Sequence, residues 1–549
     1  MKTFRHYLRF AMPVVATVAL LFSSCSSSLK EKEAQVPNDA YFVANVNLGT
    51  LWEKGDLKNI ENLRTYSMLQ DGLSSLPKLE RFVTNLLKDP SSSGIDTGKD
   101  ILFFVAKNGK SPMVTLTASL KNKKEFSDFL SSLSDFADFN LSVDNESDDG
   151  LVYATLDKDA VAVYNEKSVA LVIATDRESR KGMNEYGASL FEMEESESLF
   201  ANSQFKEYWN NRKEIGYYLP LSNIMNDKDL IPAYAMSEMK REMGDEQFNA
   251  LKNVTTFCSM AFQNGSIDMH FKTLGLPSNY KLTGSGIPSS LMRFMPDHTL
   301  AALSISVDMP ALMKIWESNK EIRQAFNERI EGTSYTVKDL FSLFGGNLVA
   351  SFYGMDNNGM PLFAVSADVK DNAMVAQLIE SFGDAGIQQT GNIYSMPIEG
   401  MPSWLYSNGN TIAFTNDGNA ANLYAVGGYG NGLGQVASKI QKGNYFYMDL
   451  NLHNYPGILL DMIGYRYDPT LEQVLSMLNS LEIISMGDNE GLFRINLNNT
   501  DNSLALIVNL VDQLIMNEIN HANRLYSYTD WEDDTYDYIA DTVMEAVAW

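Results

Sequence analysis

Cysteine and histidine are scarce in this chain of 549 residues, which contains 2 Cys and 5 His. So few cysteines exclude a fold stapled by several disulfides, and a zinc or iron–sulfur centre needs clustered ligands at fixed spacing. The histidines, at positions 6, 270, 298, 453 and 521, form neither a His-x-x-x-His pair nor an HExxH frame. We therefore expect no metal site and no cofactor.

Basic residues are also few, since 43 Lys and Arg stand against 69 Asp and Glu, a formal net charge of −26. A surface of this sign repels nucleic acid and anionic lipid headgroups, so we expect no nucleic-acid partner. The acidic excess serves either colloidal solubility or an acidic recognition surface. With 45% hydrophobic residues, the chain is globular rather than disordered.

Apolar runs long enough to cross a bilayer, about 20 residues, are missing as well. The run from Phe10 to Phe22 is shorter, is interrupted by Pro13, and follows three basic residues and no acidic one. Small serines and then Cys25 come directly after it. This is the three-part pattern of a secretory signal, which predicts export.

The four residues Phe22, Ser23, Ser24 and Cys25 resemble a bacterial lipobox, although the strict motif has Leu first and Gly or Ala third. The resemblance implies that the mature chain begins at Cys25 and carries acyl chains such as palmitate, which together anchor it permanently. Ser26 is not the aspartate that retains lipoproteins in the inner membrane, so the outer membrane is favoured. The alternative is an ordinary signal peptide that leaves Cys25 as a free thiol.

The sequence contains two similar halves. Segments beginning at residues 36, 105, 150, 215 and 255 match, in unchanged order, segments beginning at 295, 352, 391, 445 and 482. Matched pairs include Pro112 with Pro361, Tyr153 with Tyr394, Lys121 with Lys370 and Gly265 with Gly491. Preserved order predicts a tandem duplication, the alternative being two unrelated domains of similar class.

Each half predicts an α+β domain. Its order of strand, helix, hairpin, helix and strand is that of a ferredoxin-like split βαββαβ core, here extended by extra strands. We expect a mostly antiparallel sheet covered by helices, with a type I′ hairpin at Asn108-Gly109. The predicted segments are a signal peptide at 1–24, a lipidated tether at 25–35, the first repeat at 36–274, a linker at 275–294, the second repeat at 295–516 and an acidic, aromatic tail at 517–549.

Motifs that carry chemistry are weak throughout. No G-x-S-x-G elbow occurs, and Cys258 lies in the apolar run VTTFCSMAF as a small core residue. The segment DNESDDG (144–150) departs from a calcium loop by one glycine position, and GGYGNGLG (427–434) fits a linker between strand and helix better than a dinucleotide loop. Trp52 and Trp316 occupy equivalent points of the repeats, where a shared core contact is favoured over a sugar-stacking site.

The lipobox, the length and the repeated P-(N/D)-x-(A/T) opening strand resemble a family of Gram-negative lipoproteins described as a domain of unknown function. The resemblance implies export and lipidation at Cys25 and transfers no catalytic residue. We expect a non-catalytic, lipid-anchored binding or scaffold module of the cell envelope, with an envelope protein or glycan as ligand. The alternatives are an envelope hydrolase acting on glycan or peptide, and a glycan-capturing surface lipoprotein. Which face of the outer membrane it occupies stays open.

Overall fold

The computed structural model describes residues 32–136, 140–277, 280–330, 333–381, 386–398, 401–440, 446–455, 469–487 and 489–526. The predicted signal peptide, Cys25 and the tail beyond residue 526 therefore lie outside the described residues. The chain forms two compact units, one of residues 1–40 and 89–202 and the other of residues 41–88 and 203–549. The predicted domain boundaries at 274 and 295 stay predictions, since this division follows neither of them.

The strands of the described residues, in chain order, are β1 Phe42–Val46, β2 Ile101–Asn108, β3 Ser111–Ser119, β4 Leu141–Val143, β5 Val152–Leu156, β6 Ala160–Tyr164, β7 Ser168–Ala174, β8 Ile215–Pro220, β9 Thr255–Gln263, β10 Ser266–Leu274, β11 Ala301–Ser306, β12 Phe344–Met355, β13 Pro361–Val369, β14 Gln388–Thr390, β15 Ile393–Ile398, β16 Met401–Asn408, β17 Thr411–Thr415, β18 Phe446–Asn451, β19 Leu478–Ser485 and β20 Glu490–Leu497.

The helices are α1 Leu48–Lys54, α2 Arg64–Leu73, α3 Pro77–Lys88, α4 Lys123–Phe136, α5 Met183–Glu192, α6 Ser203–Asn211, α7 Leu221–Asn226, α8 Ala233–Met243, α9 Asp245–Leu251, α10 Ser289–Met292, α11 Met309–Ser318, α12 Lys320–Phe326, α13 Val337–Leu343, α14 Asn372–Ser381, α15 Gly418–Ala425, α16 Ala437–Ile440, α17 Pro469–Met477 and α18 Ser503–Tyr526. Short 3₁₀ turns connect several of them, including Gly434–Val436.

Polar side chains fix several helix starts. The Asn47 side chain accepts a hydrogen bond from the Thr50 amide at the start of α1, and Asp308 does the same for the Ala311 amide of α11. Thr336 and Asp339 form a reciprocal capping box before α13. These bonds satisfy amides that have no partner inside the helix, so the loop residues determine where each helix begins.

The first unit contains an antiparallel sheet in the order β4-β5-β6-β7-β3-β2. Helix α4 packs on it through Phe126 and Leu130, which are both buried. The Phe126 ring meets Tyr164 of β6 edge-on, with 5.2 Å between the ring centroids. Aromatic and aliphatic burial of this kind supplies the core of the unit.

The second unit contains a larger antiparallel sheet, in the order β1-β8-β9-β10-β20-β19-β18-β11-β12-β13-β17-β16-β15-β14. Its run β12-β13-β17-β16-β15-β14 pairs in the same sequence as β2-β3-β7-β6-β5-β4 of the first unit. Within the second unit, β1-β8-β9-β10 likewise matches β11-β18-β19-β20. Pro112 and Pro361 both lie at the start of a strand, and Tyr153 and Tyr394 both lie on the strand two places further along the chain.

The main core of the second unit lies between β11–β13, β17 and β18 on one side and α10, α15 and α16 on the other. Phe294 is almost fully buried there and meets Tyr424 edge-on at 5.2 Å between centroids. Leu291 and Met292 of α10 are buried in the same core, so the end of the predicted linker 275–294 is part of the fold rather than a free connection.

The predicted α+β class with a mostly antiparallel sheet is confirmed. The ferredoxin-like core is wrong for the second repeat. A split βαβ unit separates the two strands that its helix connects, whereas β11 and β12, connected by α11–α13, are direct neighbours. The hairpin at Asn108-Gly109 exists, but Asn108 pairs with Ser111 as the end of β2 and, of the two loop residues, only Gly109 has a positive φ, so the turn is not type I′.

Candidate ligand-binding site

The second unit contains a cavity of about 850 Å³ beside its main core. Its volume lies within the range of about 300–1,000 Å³ that small-molecule sites occupy. Polar side chains outnumber apolar ones on its wall. The lining residues are Asp297, His298, Thr299, Leu300, Tyr353, Asn431, Leu433, Gly434, Val436, Asp449 and Asn451.

One wall of the cavity is built from strands. Asp449 and Asn451 lie two residues apart on β18, so both side chains point to the same face of the sheet. Tyr353 comes from β12, and β11 lies between these two strands. The pairing of β18, β11 and β12 therefore brings together polar residues that are about a hundred positions apart in the sequence.

The opposite wall is the glycine-rich segment 427–434, which approaches the main chain of residues 292–297. A Cβ atom on Gly432 would stand 2.1 Å from the Met295 carbonyl oxygen, and one on Gly428 would stand 2.3 Å from that of Arg293. Only glycine permits so close an approach. The segment follows helix α15 and leads into a 3₁₀ turn, so the prediction of a linker between strand and helix is wrong in its first half.

Asp449 is the most unusual charged group of the cavity wall. It lies directly opposite Glu482 across β18 and β19, and its Oδ1 atom is buried with no hydrogen-bond partner among the described residues. Glu482 is 2% exposed and pairs with Lys439 of α16. Burial first, and then the Glu482 charge, raise the pKa of Asp449 despite the opposing effect of Lys439.

Tyrosine hydroxyl groups gather at the other end of the strand wall. Tyr353 Oη lies 3.3 Å from Asp417 Oδ2, to which it donates, and 3.4 Å from Thr415 Oγ1. Burial raises the pKa of Tyr353, and it raises that of the neighbouring Tyr429 to about 12. These tyrosines are therefore neutral hydrogen-bonding groups at physiological pH.

Tyr447 lies two residues before Asp449 on β18, so its side chain points to the same face of the sheet. Its side chain is completely buried and its hydroxyl has no partner among the described residues. Burial, followed by the charges of Asp449 and Glu482, raises its pKa. Tyr447 belongs to the main core and is not among the residues that line the cavity, so it supports the strand wall from behind.

The residues that the sequence singled out lie elsewhere. Cys258 is 3% exposed on β9, and burial raises the pKa of its thiol to about 11, which confirms the prediction of a core cysteine. Trp316 packs edge-on between Phe326 and Phe341, as the core-contact interpretation predicts. Cys25, the predicted lipidation site, lies outside the described residues, so that prediction stays a prediction.

His270 lines a second, smaller cavity of about 300 Å³, together with Lys213 and Ser259. Burial first, and then the charges of Lys213 and Arg494, lower the pKa of His270, although Asp268 acts in the opposite direction. Lys272, at the edge of the same cavity, pairs with Glu207 and Glu490. His270 itself is half-buried on β10.

Sequence reasoning missed Asp449, Glu482 and Tyr353. The only available signal was an acidic residue inside each of the apolar strand segments YFYMDLN and SLEIIS. Among the described residues, no three His, Cys, Asp or Glu side chains come together as metal ligands. Within the same part of the chain, every helix is too short or too polar to cross a membrane.

Three solved structures of one protein, TP0453, show limited likeness. Crystal form IV is 8% identical over 44% of this chain and 81% of that chain, with a TM-score of 0.24. Crystal form III is 9% identical over 43% and 78%, with a TM-score of 0.23, and crystal form I is 10% identical over 72% and 98%, with a TM-score of 0.20.

No curated protein is significantly similar to the chain in sequence. A family model, in contrast, matches residues 33–494, which include every residue of the cavity wall. The match begins beyond Cys25 and ends within β20, so it covers the strands of both halves. The chain belongs to the family described as "Domain of unknown function (DUF4836)".

Proposed function

We propose that the protein is a non-catalytic binding module of the cell envelope, anchored in the outer membrane through lipid on Cys25, with its ligand bound in the cavity beside Asp449. The observation that carries the binding role is a cavity of about 850 Å³ whose wall includes the half-buried side chain of Asp449. Anchoring rests on the signal and lipobox pattern of the sequence.

The cavity wall suits a hydroxyl-bearing ligand of saccharide size. Asn431 and Asn451 carry both donor and acceptor groups, whereas Asp449 and the Tyr353 hydroxyl, which donates its proton to Asp417, offer acceptors. Apolar Leu300 and Leu433 line the same space and favour contact with the C–H face of a sugar ring. An envelope glycan fragment is therefore the ligand that this wall favours.

Binding is favoured over catalysis because the titratable lining residues do not form a supported pair. Asp297, His298 and Asp449 make no hydrogen bonds with one another among the described residues. Hydrolytic sites hold a nucleophile or base in place through such bonds. Asp297 and His298 are also exposed, so packing does not hold their side chains in one orientation.

The test is calorimetric titration of the full chain, purified in detergent, with envelope-derived mono- and oligosaccharides. We expect binding by the unmodified protein and at least about a tenfold weaker affinity for Asp449→Asn and for Tyr353→Phe. Glu380→Gln, a change on the exposed surface of α14, is the matched control and leaves affinity unchanged. Equal affinity in all variants would remove the cavity from the proposal.

An envelope hydrolase is the second candidate, and one observation favours it. A carboxyl group with a raised pKa beside a cavity is a typical general acid, and Asp449 is such a group. Release of reducing ends from glycan by the purified protein, abolished in Asp449→Asn, would establish hydrolysis. Turnover at the same rate in both proteins would point to a contaminant.

We further propose that the chain arose by tandem duplication. The matched strand order of β2–β7 with β12–β17, and of β1, β8, β9 and β10 with β11, β18, β19 and β20, supports it. A structure of a second family member tests the proposal. If one half lacks this strand order while the other keeps it, the duplication is contradicted.

A further inference from the structure

The charges around the cavity are unbalanced. In the part of the chain that the structure describes, its lining residues include the carboxylates Asp297 and Asp449 but neither lysine nor arginine. Lys439, the cation nearest to Asp449 in its electrostatic surroundings, already pairs with the buried Glu482. A ligand that enters this space therefore meets an excess of negative charge, within a protein whose overall charge is also negative.

The surroundings of Asp449 explain why its carboxyl group lacks compensation. From its own strand Tyr447 offers a neutral hydroxyl, and from β19 Glu482 offers a like charge directly opposite. From β11 the facing residue is Ala302, which has no polar group, and α16 contributes Lys439. Like charges opposite each other across strands are destabilising, and burial makes each of them costlier.

An ammonium group would satisfy this arrangement. On the cavity wall it would lie against the carboxylate of Asp449, and it would offset the charge of Glu482. His298, which is exposed beside Asp297, can also carry positive charge. Among the described residues no other lining side chain is basic, so a cationic ligand would offset the carboxylate charge.

A metal ion fits the site less well than an organic cation. Divalent ions need several oxygen ligands from carboxylates or carbonyls, and no cluster of three acidic or histidine side chains occurs in the described part of the chain. The volume of about 850 Å³ far exceeds one ion and suits a ligand of several rings. Amide side chains of Asn431 and Asn451 can bind the remaining polar groups of such a ligand.

We infer that the cavity recognises an organic cation, an amine-bearing saccharide such as an amino sugar, through an ammonium group seated on Asp449. This deepens the proposed function, because it assigns the ligand's charge within the same cavity. Glu482 and Lys439 act as positioning residues that keep Asp449 from being neutralised by the protein itself.

Binding of such a cation is linked to protons. In the free protein burial and the Glu482 charge raise the pKa of Asp449, so its carboxyl group keeps its proton to a higher pH than an ordinary aspartate does. An ammonium group stabilises the carboxylate and lowers that pKa, so binding releases protons and strengthens as the pH rises. A neutral saccharide would release none.

The experiment is calorimetric titration of the full chain with D-glucosamine and, as its neutral counterpart, N-acetyl-D-glucosamine. Titrations run between about pH 4.5 and about pH 6.5, where the amine, with a pKa near that of an α-amino group, stays protonated. Phosphate and ACES buffers, which differ in ionisation enthalpy, report the number of protons released. We expect glucosamine to bind at least about tenfold more tightly and to release protons.

Asp449→Asn, which keeps the side-chain shape, should abolish both the preference and the proton release, whereas Glu380→Gln keeps them. Equal binding of both sugars without proton release would overturn the inference and leave the saccharide site intact. Binding of neither sugar would count against the proposed function as well. Tight binding of CaCl₂ that competes with glucosamine would overturn the organic-cation assignment in favour of a metal.

Discussion

Arg494 and Asp268 form a bidentate ion pair between β20 and β10. Arg494 Nε donates to Asp268 Oδ1 at 2.8 Å and Nη2 donates to Oδ2 at 2.7 Å, and the two residues are direct partners across β20 and β10. Each lies three residues after a matched glycine, Gly491 or Gly265. Under the proposed duplication this position meets its own counterpart, where identical charges would repel and opposite charges attract.

Replacing Arg494 with Leu should reduce the free energy of unfolding by about 2 kcal/mol, because Asp268 is 6% exposed and would lose its partner. The value is below that of a fully buried pair, since solvent screens Arg494, whose side chain is 34% exposed. Urea denaturation measures it. The double variant Asp268→Leu/Arg494→Leu should regain part of the loss, and a further loss in the double variant would contradict the coupling.

The same pair predicts a response to acid. Burial alone would raise the pKa of Asp268, but the hydrogen bonds and charge of Arg494 lower it below its usual value. The pair therefore contributes stability above the unfolded-state pKa of about 3.9, and the contribution is lost as the pH falls through the lower folded value. Arg494→Leu should show a flatter stability profile between about pH 5 and about pH 2. Parallel profiles would refute the assignment.

Asp449→Asn should stabilise the ligand-free protein at neutral pH, because the folded pKa of Asp449 is raised and its ionised form is disfavoured. The gain should be absent below the unfolded-state pKa of about 3.9, and should grow as the pH rises to the folded value. Thermal melting across this range measures it. Equal stabilisation at every pH would mean that the effect arises from packing rather than charge.

Gly432→Ala should destabilise the protein by about 2–4 kcal/mol, because the new Cβ would stand 2.1 Å from the Met295 carbonyl oxygen and 2.2 Å from that of Met292. Gly354→Ala is the control, since no atom lies within 4 Å of its added Cβ. Chemical denaturation compares them. Equal stability of the two variants would show that the segment 427–434 can shift away from the carbonyl oxygens of Met292 and Met295 at little cost.

Asp512 of α18 caps helix α2, accepting hydrogen bonds from the Thr65 amide at 2.9 Å and the Thr65 hydroxyl at 2.7 Å. Asp512→Ala should therefore cost about 1–2 kcal/mol of stability. Glu518→Ala, an exposed change on the same helix, should have little effect. Amide hydrogen exchange in α2 measures the effect and should be faster in Asp512→Ala than in Glu518→Ala. Equal exchange in the two variants would contradict the predicted cap.

Cys25→Ala should abolish acylation and move the protein out of the membrane fraction, because Cys25 follows the predicted signal directly. Labelling of growing cells with an alkyne fatty acid measures the acyl chain. Cys258→Ala is the control. Because the Cys258 thiol is buried and should not be acylated, this variant should carry the same label as the unmodified protein. Unchanged label on Cys25→Ala would exclude this anchor.

Local pattern predicted much of the fold and little of the site. Alternating residues in AYFVANVNL predict a strand, and β1 covers Phe42–Val46. Strand adjacency is not written in local pattern, so a ferredoxin-like order was expected where β11 and β12 are neighbours. Asp449 acquires its properties from Glu482, which reaches it only through the register of β18 with β19. A carboxylate in one strand segment cannot indicate which residue will face it.

The two walls of the cavity differ in how they can change over evolution. The wall of residues 427–434 is held by main chain against main chain, and its glycines exclude any larger residue at Gly428 and Gly432. Gly428 and Gly432 therefore cannot be replaced by recognition groups, and this wall can change only at positions between them such as Asn431. The strand wall can change more widely, since Asp449, Asn451 and Tyr353 present side chains on a backbone fixed by the sheet. Related proteins that prefer different ligands should therefore differ at the strand residues and keep the glycines. One conserved glycine-rich wall would then be combined with strand walls of different ligand specificity.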